Sequence, residues 1–136
     1  MLKRSASLAS AVIAASAVFA GNLLSSPALA DQVLAEVGKR QYALRCAACH
    51  ELSAQAPVNL GPHLEDIVGR LAGAIEDYEY IEDTLISQSF HWDEETLDEW
   101  LRKPQKMIPD MCMPFFGLPR AEHREALIAY LKNPAP

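Results

Sequence analysis

Cysteine is scarce in this sequence: there are three in 136 residues, Cys46, Cys49 and Cys112. They include one C-x-x-C pair, so a zinc site built on paired cysteines has no second pair to draw on. Basic residues are outnumbered as well, with 12 Lys and Arg against 18 Asp and Glu. That balance argues against nucleic acid or an anionic lipid surface as partner. The apolar run from Leu8 to Ala20 is too short to span a bilayer comfortably. No segment repeats, no stretch reads convincingly as a β-strand, and no general base, nucleophile or substrate pocket is recognisable.

What is present begins with a leader. Lys3 and Arg4 precede the apolar run, and Ser25, Ser26 and Pro27 lead to Ala28-Leu29-Ala30. A basic start, a short apolar core and an A-x-A site predict a signal peptide over 1–30, cleaved after Ala30. The working chain is then expected to be one domain, 31–136, and losing Lys3 and Arg4 takes the formal charge from −6 to −8. A chain this short has a marginal hydrophobic core, so something further should help to hold it together.

That further component is announced by "RCAACH", residues 45–50. Cys46 and Cys49 could be a redox dithiol, but His50 directly after the second cysteine completes C-x-x-C-H, the attachment signature of haem c. Two thiols form thioethers to neighbouring vinyl groups while the histidine turns its ring toward iron. One such motif implies one covalent haem c, attached in an exported protein.

The elements expected are all helical. A helix should run from Asp31 to the haem motif, with Val33, Leu34, Val37 and Tyr42 on its apolar side and Gly38 interrupting it beside a close neighbour. Residues 51–62 read as loop ended by Gly61-Pro62, and "HLEDIVGRLAG", 63–73, as a short helix. Asp93 is an N-cap with Glu94 and Glu95 in the first turn and Leu97, Trp100 and Leu101 on one face, a helix of about ten residues. Pro104, Pro109 and Pro114 make 104–119 an extended strap. Arg120 to Lys132 form the last helix, with His123, Leu127, Tyr130 and Leu131 on one side.

These motifs resemble, in order and spacing, the class I monohaem cytochromes c, in the mitochondrial-like bacterial branch. "GPHLEDIVGR", "DYEY", "WDEETLDEWLRKP", "MIPDMCMPFFG" and "ALIAYLK" carry the likeness over the whole of 31–136. The resemblance implies an all-α class I cytochrome c fold wrapped around one covalently attached haem. It implies that Gly38 and Tyr42 pack against Tyr130 where the first and last helices cross, and that the Pro62 carbonyl accepts a hydrogen bond from His50. It assigns Arg70, Tyr80 and Trp92 to the haem propionates. Candidates for the second axial ligand are Met107, Met111, Met113, Cys112, His63, His91 and His123, and the alignment places Met113 there. Trp100 and Met111 stand where relatives commonly carry tyrosine and threonine, and Asp110 replaces a turn glycine. Cys112 is then an inert thiol, an alternative iron ligand, or a cysteine for a disulfide with a partner.

The function expected is that of a soluble periplasmic electron carrier with His–Met ligation, not an enzyme. Donor and acceptor are redox proteins, with a basic or mainly apolar docking face to complement the acidic stretches 76–83 and 93–99. Two alternatives stand beside it: an electron-transfer subunit of a periplasmic dehydrogenase, and a haem sensor or peroxidase-like protein whose distal ligand, involving Cys112, exchanges.

Overall fold

The computed structural model describes residues 27–79 and 83–134, so most of the expected leader, residues 1–26, lies outside the described residues. Among these residues five helices follow in order: α1 (Pro27–Arg45), α2 (Asp83–Ile86), α3 (Glu94–Arg102), α4 (Pro104–Met107) and α5 (Ala121–Lys132). The described residues contain no named strand, only an isolated antiparallel bridge between Leu71 and His91. No helix among them is long and apolar enough to cross a membrane.

The frame is the crossing of α1 and α5. Gly38 is what lets the two helices touch: a Cβ there would overlap the Ala126 carbonyl oxygen and lie 2.6 Å from Tyr130 Cβ. One turn on, the rings of Tyr42 and Tyr130 pack at 5.9 Å between centroids. Leu127, Ile128, Tyr130 and Leu131 are buried along α5, while Val33 of α1, expected to face inward, is exposed. The crossing draws in only the second half of α1.

Helix α3 starts as its sequence dictates. The Asp93 carboxylate accepts from Thr96 N at 2.8 Å, Glu94 and Glu95 fill the first turn, and Leu97, Trp100 and Leu101 are buried. Arg124 of α5, buried, ties α5 to α3 and to the strap. It reaches Asp98 at 2.7 Å through Nε and donates from Nη1 to the carbonyls of Leu118 and Pro119 at 2.9 and 3.0 Å.

Two expectations are corrected. Residues 63–73 are not a helix. Asp66, Gly69 and Gly73 all take positive φ, at 51°, 98° and 73°, and such residues end helices rather than continue them. The segment pairs instead with 90–92: Gly69 N donates to Trp92 O, Trp92 N to Arg70 O, and Ala72 N to Phe90 O, at 2.8 to 2.9 Å. The strap, in turn, is not extended from its start. Pro104 sits in the first turn of α4, where a missing N–H costs nothing, and irregular chain begins at Ile108. Ahead of α3, Asp83–Ile86 make only the one-turn helix α2.

Candidate functional site

Helix α1 ends at the cysteine-histidine motif. Cys46 N and Ala47 N both donate to Tyr42 O, and Cys49 N and His50 N to Cys46 O, at 2.8 to 3.0 Å. This closed turn places both thiols and the imidazole on one short piece of chain, and Tyr42 Oη donates to His50 O at 2.5 Å. Burial, reinforced by Glu51, pushes the Tyr42 hydroxyl up to about 12, so it stays a donor. Burial likewise pushes the Cys46 thiol up to about 11, against the pull of Arg45. A thiol held protonated is a poor opportunistic nucleophile, so its chemistry waits for a dedicated reaction.

His50 is aimed by its neighbours. Its Nδ1 lies 2.7 Å from Pro62 O, and a carbonyl can only accept, so Nδ1 carries the hydrogen and Nε2 is left as a lone pair for metal. Burial lowers the histidine below its usual range, and the Pro62 bond opposes this only in part. The neutral form, the one that ligates, is favoured. Gly61 makes the approach possible: a Cβ there would lie 2.5 Å from His50 Cε1 and 2.8 Å from Nδ1.

Around the motif, Leu52, Leu64, Val68, Leu85 and Phe90 pack on the core without being closed by it. The strap packs on the same core. Asp110 takes φ 65°, a left-handed conformation that aspartate tolerates better than most residues. Gln105 Nε2 then pins the Met111 carbonyl at 2.8 Å. Exposure alternates along the extended chain after it: Met111, Met113 and Phe115 are half-buried against the core, Cys112, Pro114 and Phe116 are exposed. Cys112 could reach the side of Met113 only if the strap turned over.

The remaining expected residues divide. Arg70 and Trp92 are brought together by the 69–72 pairing with 90–92. Arg70 donates to Glu65 O and His63 O at 3.2 and 3.0 Å, and burial lowers it from the usual arginine range. Trp92 is buried edge-on between Phe90 and Trp100, with ring centroids at 4.8 and 5.4 Å. Tyr80 lies outside the described residues. Of the other ligand candidates, His91 is exposed, His123 is half-exposed on α5 and Met107 is half-buried at the end of α4. His63 faces Asp77 with Nε2 at 3.3 Å from its carboxylate. That last pair is absent from the sequence reading, because two residues fourteen apart in irregular chain leave no periodic signal.

The residues fit a covalently attached haem. Two thiols and an imidazole whose neutral form is favoured share one turn, a glycine clears space beside the imidazole ring, and the thioethers of Met111 and Met113 on the strap are half-buried against the core. An all-α chain whose first helix ends in that turn and is closed by its last helix defines a small c-type haem protein.

Comparison with known proteins narrows the class. The Cytochrome c family matches residues 35–134. Cytochrome c of Gibberella zeae is 38% identical over 96 residues, 71% of this chain and 90% of its own. Cytochrome c2 of Rhodoblastus acidophilus is 39% identical over 98 residues, 72% of this chain and 90% of its own. For cytochrome c of Arabidopsis thaliana the figures are 36% over 99 residues, 73% and 88%. The chain belongs to the cytochrome c family. It is accordingly an electron carrier rather than an enzyme, of a family that carries one covalent haem c, whose attachment pattern Cys46 and Cys49 fit, and that works with redox partners.

Proposed function

We propose that this chain is a periplasmic electron carrier whose haem iron is held by His50 and Met113. The observation that carries the ligation is the bond from His50 Nδ1 to Pro62 O at 2.7 Å, and the half-burial of Met113 against the core supports the second ligand. Held there, a haem would supply a one-electron couple. The protein's part is to hold both ligands still, since a site that does not rearrange transfers electrons with little reorganisation. Gly61, Pro62 and Tyr42 fix the histidine side, and Gln105 fixes the strap. Arg70 and Trp92, adjacent through backbone pairing, and Tyr80 are the residues we assign to the propionates. Export rests on the leader, and the resemblance to a bacterial cytochrome c2 is in keeping with a periplasmic location.

The acidic residues Glu76, Asp77, Glu79, Asp83, Glu94, Glu95 and Glu99 are exposed. They favour a partner whose docking face is basic or mainly apolar. A second reading, a subunit serving one fixed dehydrogenase, draws on Phe116, which is 98% exposed. Sizing and co-purification separate a fixed subunit from a roaming carrier.

The ligation is tested by spectra of the oxidised protein. Met113→Ala is expected to lose the low-spin methionine signatures, with Cys112→Ala and Met111→Ala retaining them. An unchanged Met113→Ala spectrum would sink the assignment, and loss in Cys112→Ala would transfer it to the thiol.

A further inference from the structure

Residues 60–63 present the carbonyl that aims His50, and they are fastened from three directions. The Tyr78 hydroxyl donates to Leu60 O, Arg70 Nη2 donates to His63 O at 3.0 Å, and His63 Nε2 lies 3.3 Å from Asp77 Oδ1. Pro62 sits between these anchors. His63 is therefore one peptide unit from the group that polarises the iron's histidine, and it is the member of this clamp whose residue type ordinarily changes charge near neutral pH.

Its surroundings suit that change. The His63 side chain is 17% exposed while Asp77 is 50% exposed, so protons reach the pair from the carboxylate side. Nδ1 is buried and has no hydrogen-bond partner among the described residues, and His63 lines a cavity of about 20 Å³ with Glu51, Asn59 and Tyr78. That volume holds one water, which could accept from Nδ1 when the ring carries both protons. The charged and titratable groups around His63 are Asp77 from the facing loop, Arg70, which holds the His63 carbonyl and itself lies beside Glu65 and Asp66, and Glu51 and Tyr78 across the cavity. Carboxylates, tyrosines and arginines ordinarily titrate outside about pH 5–8.

We propose that His63, oriented by Asp77, is a positioning residue for His50 and makes the reduction potential of this carrier depend on pH. The inference rests on His50 as an iron ligand. Reduction moves one electron from the donor redox protein to the iron and lowers the charge of the site by one. A positive charge on His63 is then better tolerated, so its ring takes a proton from solvent more tightly in the reduced than in the oxidised protein. By reciprocity the potential is higher where His63 is protonated, and it falls as pH rises through that titration.

The test measures the potential of the haem-loaded protein against pH for the wild type, His63→Asn and Asp77→Asn, and follows the His63 ring by NMR in both oxidation states. Proton binding is expected to be about threefold tighter in the reduced wild type, equivalent to a fall of about 30 mV across the titration. His63→Asn should be flat between about pH 5 and 8. In Asp77→Asn the dependence should move to lower pH, because the carboxylate favouring the charged ring is gone. A His63→Asn variant that keeps the wild-type slope would overturn the inference, as would a ring that titrates identically in both oxidation states. If His63→Asn does not fold, the wild-type NMR comparison decides alone. Missing histidine–iron signatures in the wild-type spectrum would defeat the ligation itself, whereas those signatures with a flat potential would defeat only the role of His63.

Discussion

A methyl group on residue 61 has nowhere to go, because the His50 ring occupies its place at 2.5 Å. Gly69 is the contrast: its φ is 98°, yet no atom of the described residues lies within 4 Å of the position of its Cβ. Gly69→Ala is expected to cost only backbone strain, about 1 kcal/mol. Gly61→Ala must also move either the imidazole or the Pro62 carbonyl, so about 2 kcal/mol or more is expected. Denaturant midpoints of the two haem-loaded variants check the difference, and only Gly61→Ala should shift the potential. At this scale the sequence was readable where chemistry constrains neighbours along the chain, as in Cys46, Cys49 and His50. Pro62 was readable only through resemblance. His63 with Asp77, and Arg124 with Asp98, were not, because nothing local distinguishes a buried, paired charge from a solvated one.

Among the elements, α3 was legible almost to the residue. Its start is specified within five residues, by the Asp93 carboxylate and the Thr96 N–H and hydroxyl that donate to it. The backbone bond from Thr96 holds the Asp93 carboxyl below its ordinary 3.8. A depressed carboxyl contributes stability above its unfolded value, and the contribution is lost as pH falls through the folded one. The stability gap between wild type and Asp93→Ala should thus be fully present above pH 3.8 and close below it; melting curves at several pH values read this directly. Residues 63–73 were misread for a physical reason. Leu64, Ile67, Val68 and Leu71 fall at helical spacing, but positive φ at Asp66 and Gly69 and the bonds to 90–92 override the pattern. The α1–α5 contact makes the opposite case, since Gly38 weakens its own helix in order to seat another. Gly38→Ala is expected to destabilise the protein by about 2–4 kcal/mol, because both obstacles, the Ala126 carbonyl and Tyr130 Cβ, belong to the frame of α5. Chemical unfolding followed by far-UV circular dichroism measures it.

For the molecule as a whole, charge decides encounter more than it decides fold. The formal charge of −6 is carried by an acidic surface, and attraction to a basic partner is screened over about 10 Å at 0.1 M salt. Electron-transfer rates with such a partner should fall as ionic strength rises, by roughly tenfold or more where steering dominates. Stopped-flow measurements across a salt series provide the check, and rates that stay flat or rise would defeat the steering. The helix crossing has a further consequence at this scale. Gly38 and Tyr42 meet Tyr130 across nearly the whole described chain, so a polypeptide delivered from its N-terminus cannot lock until residues 121–132 have arrived. Until then the helix that leads into Cys46 and Cys49 lacks the partner it is shaped for. The last residues to be delivered therefore decide when the frame closes.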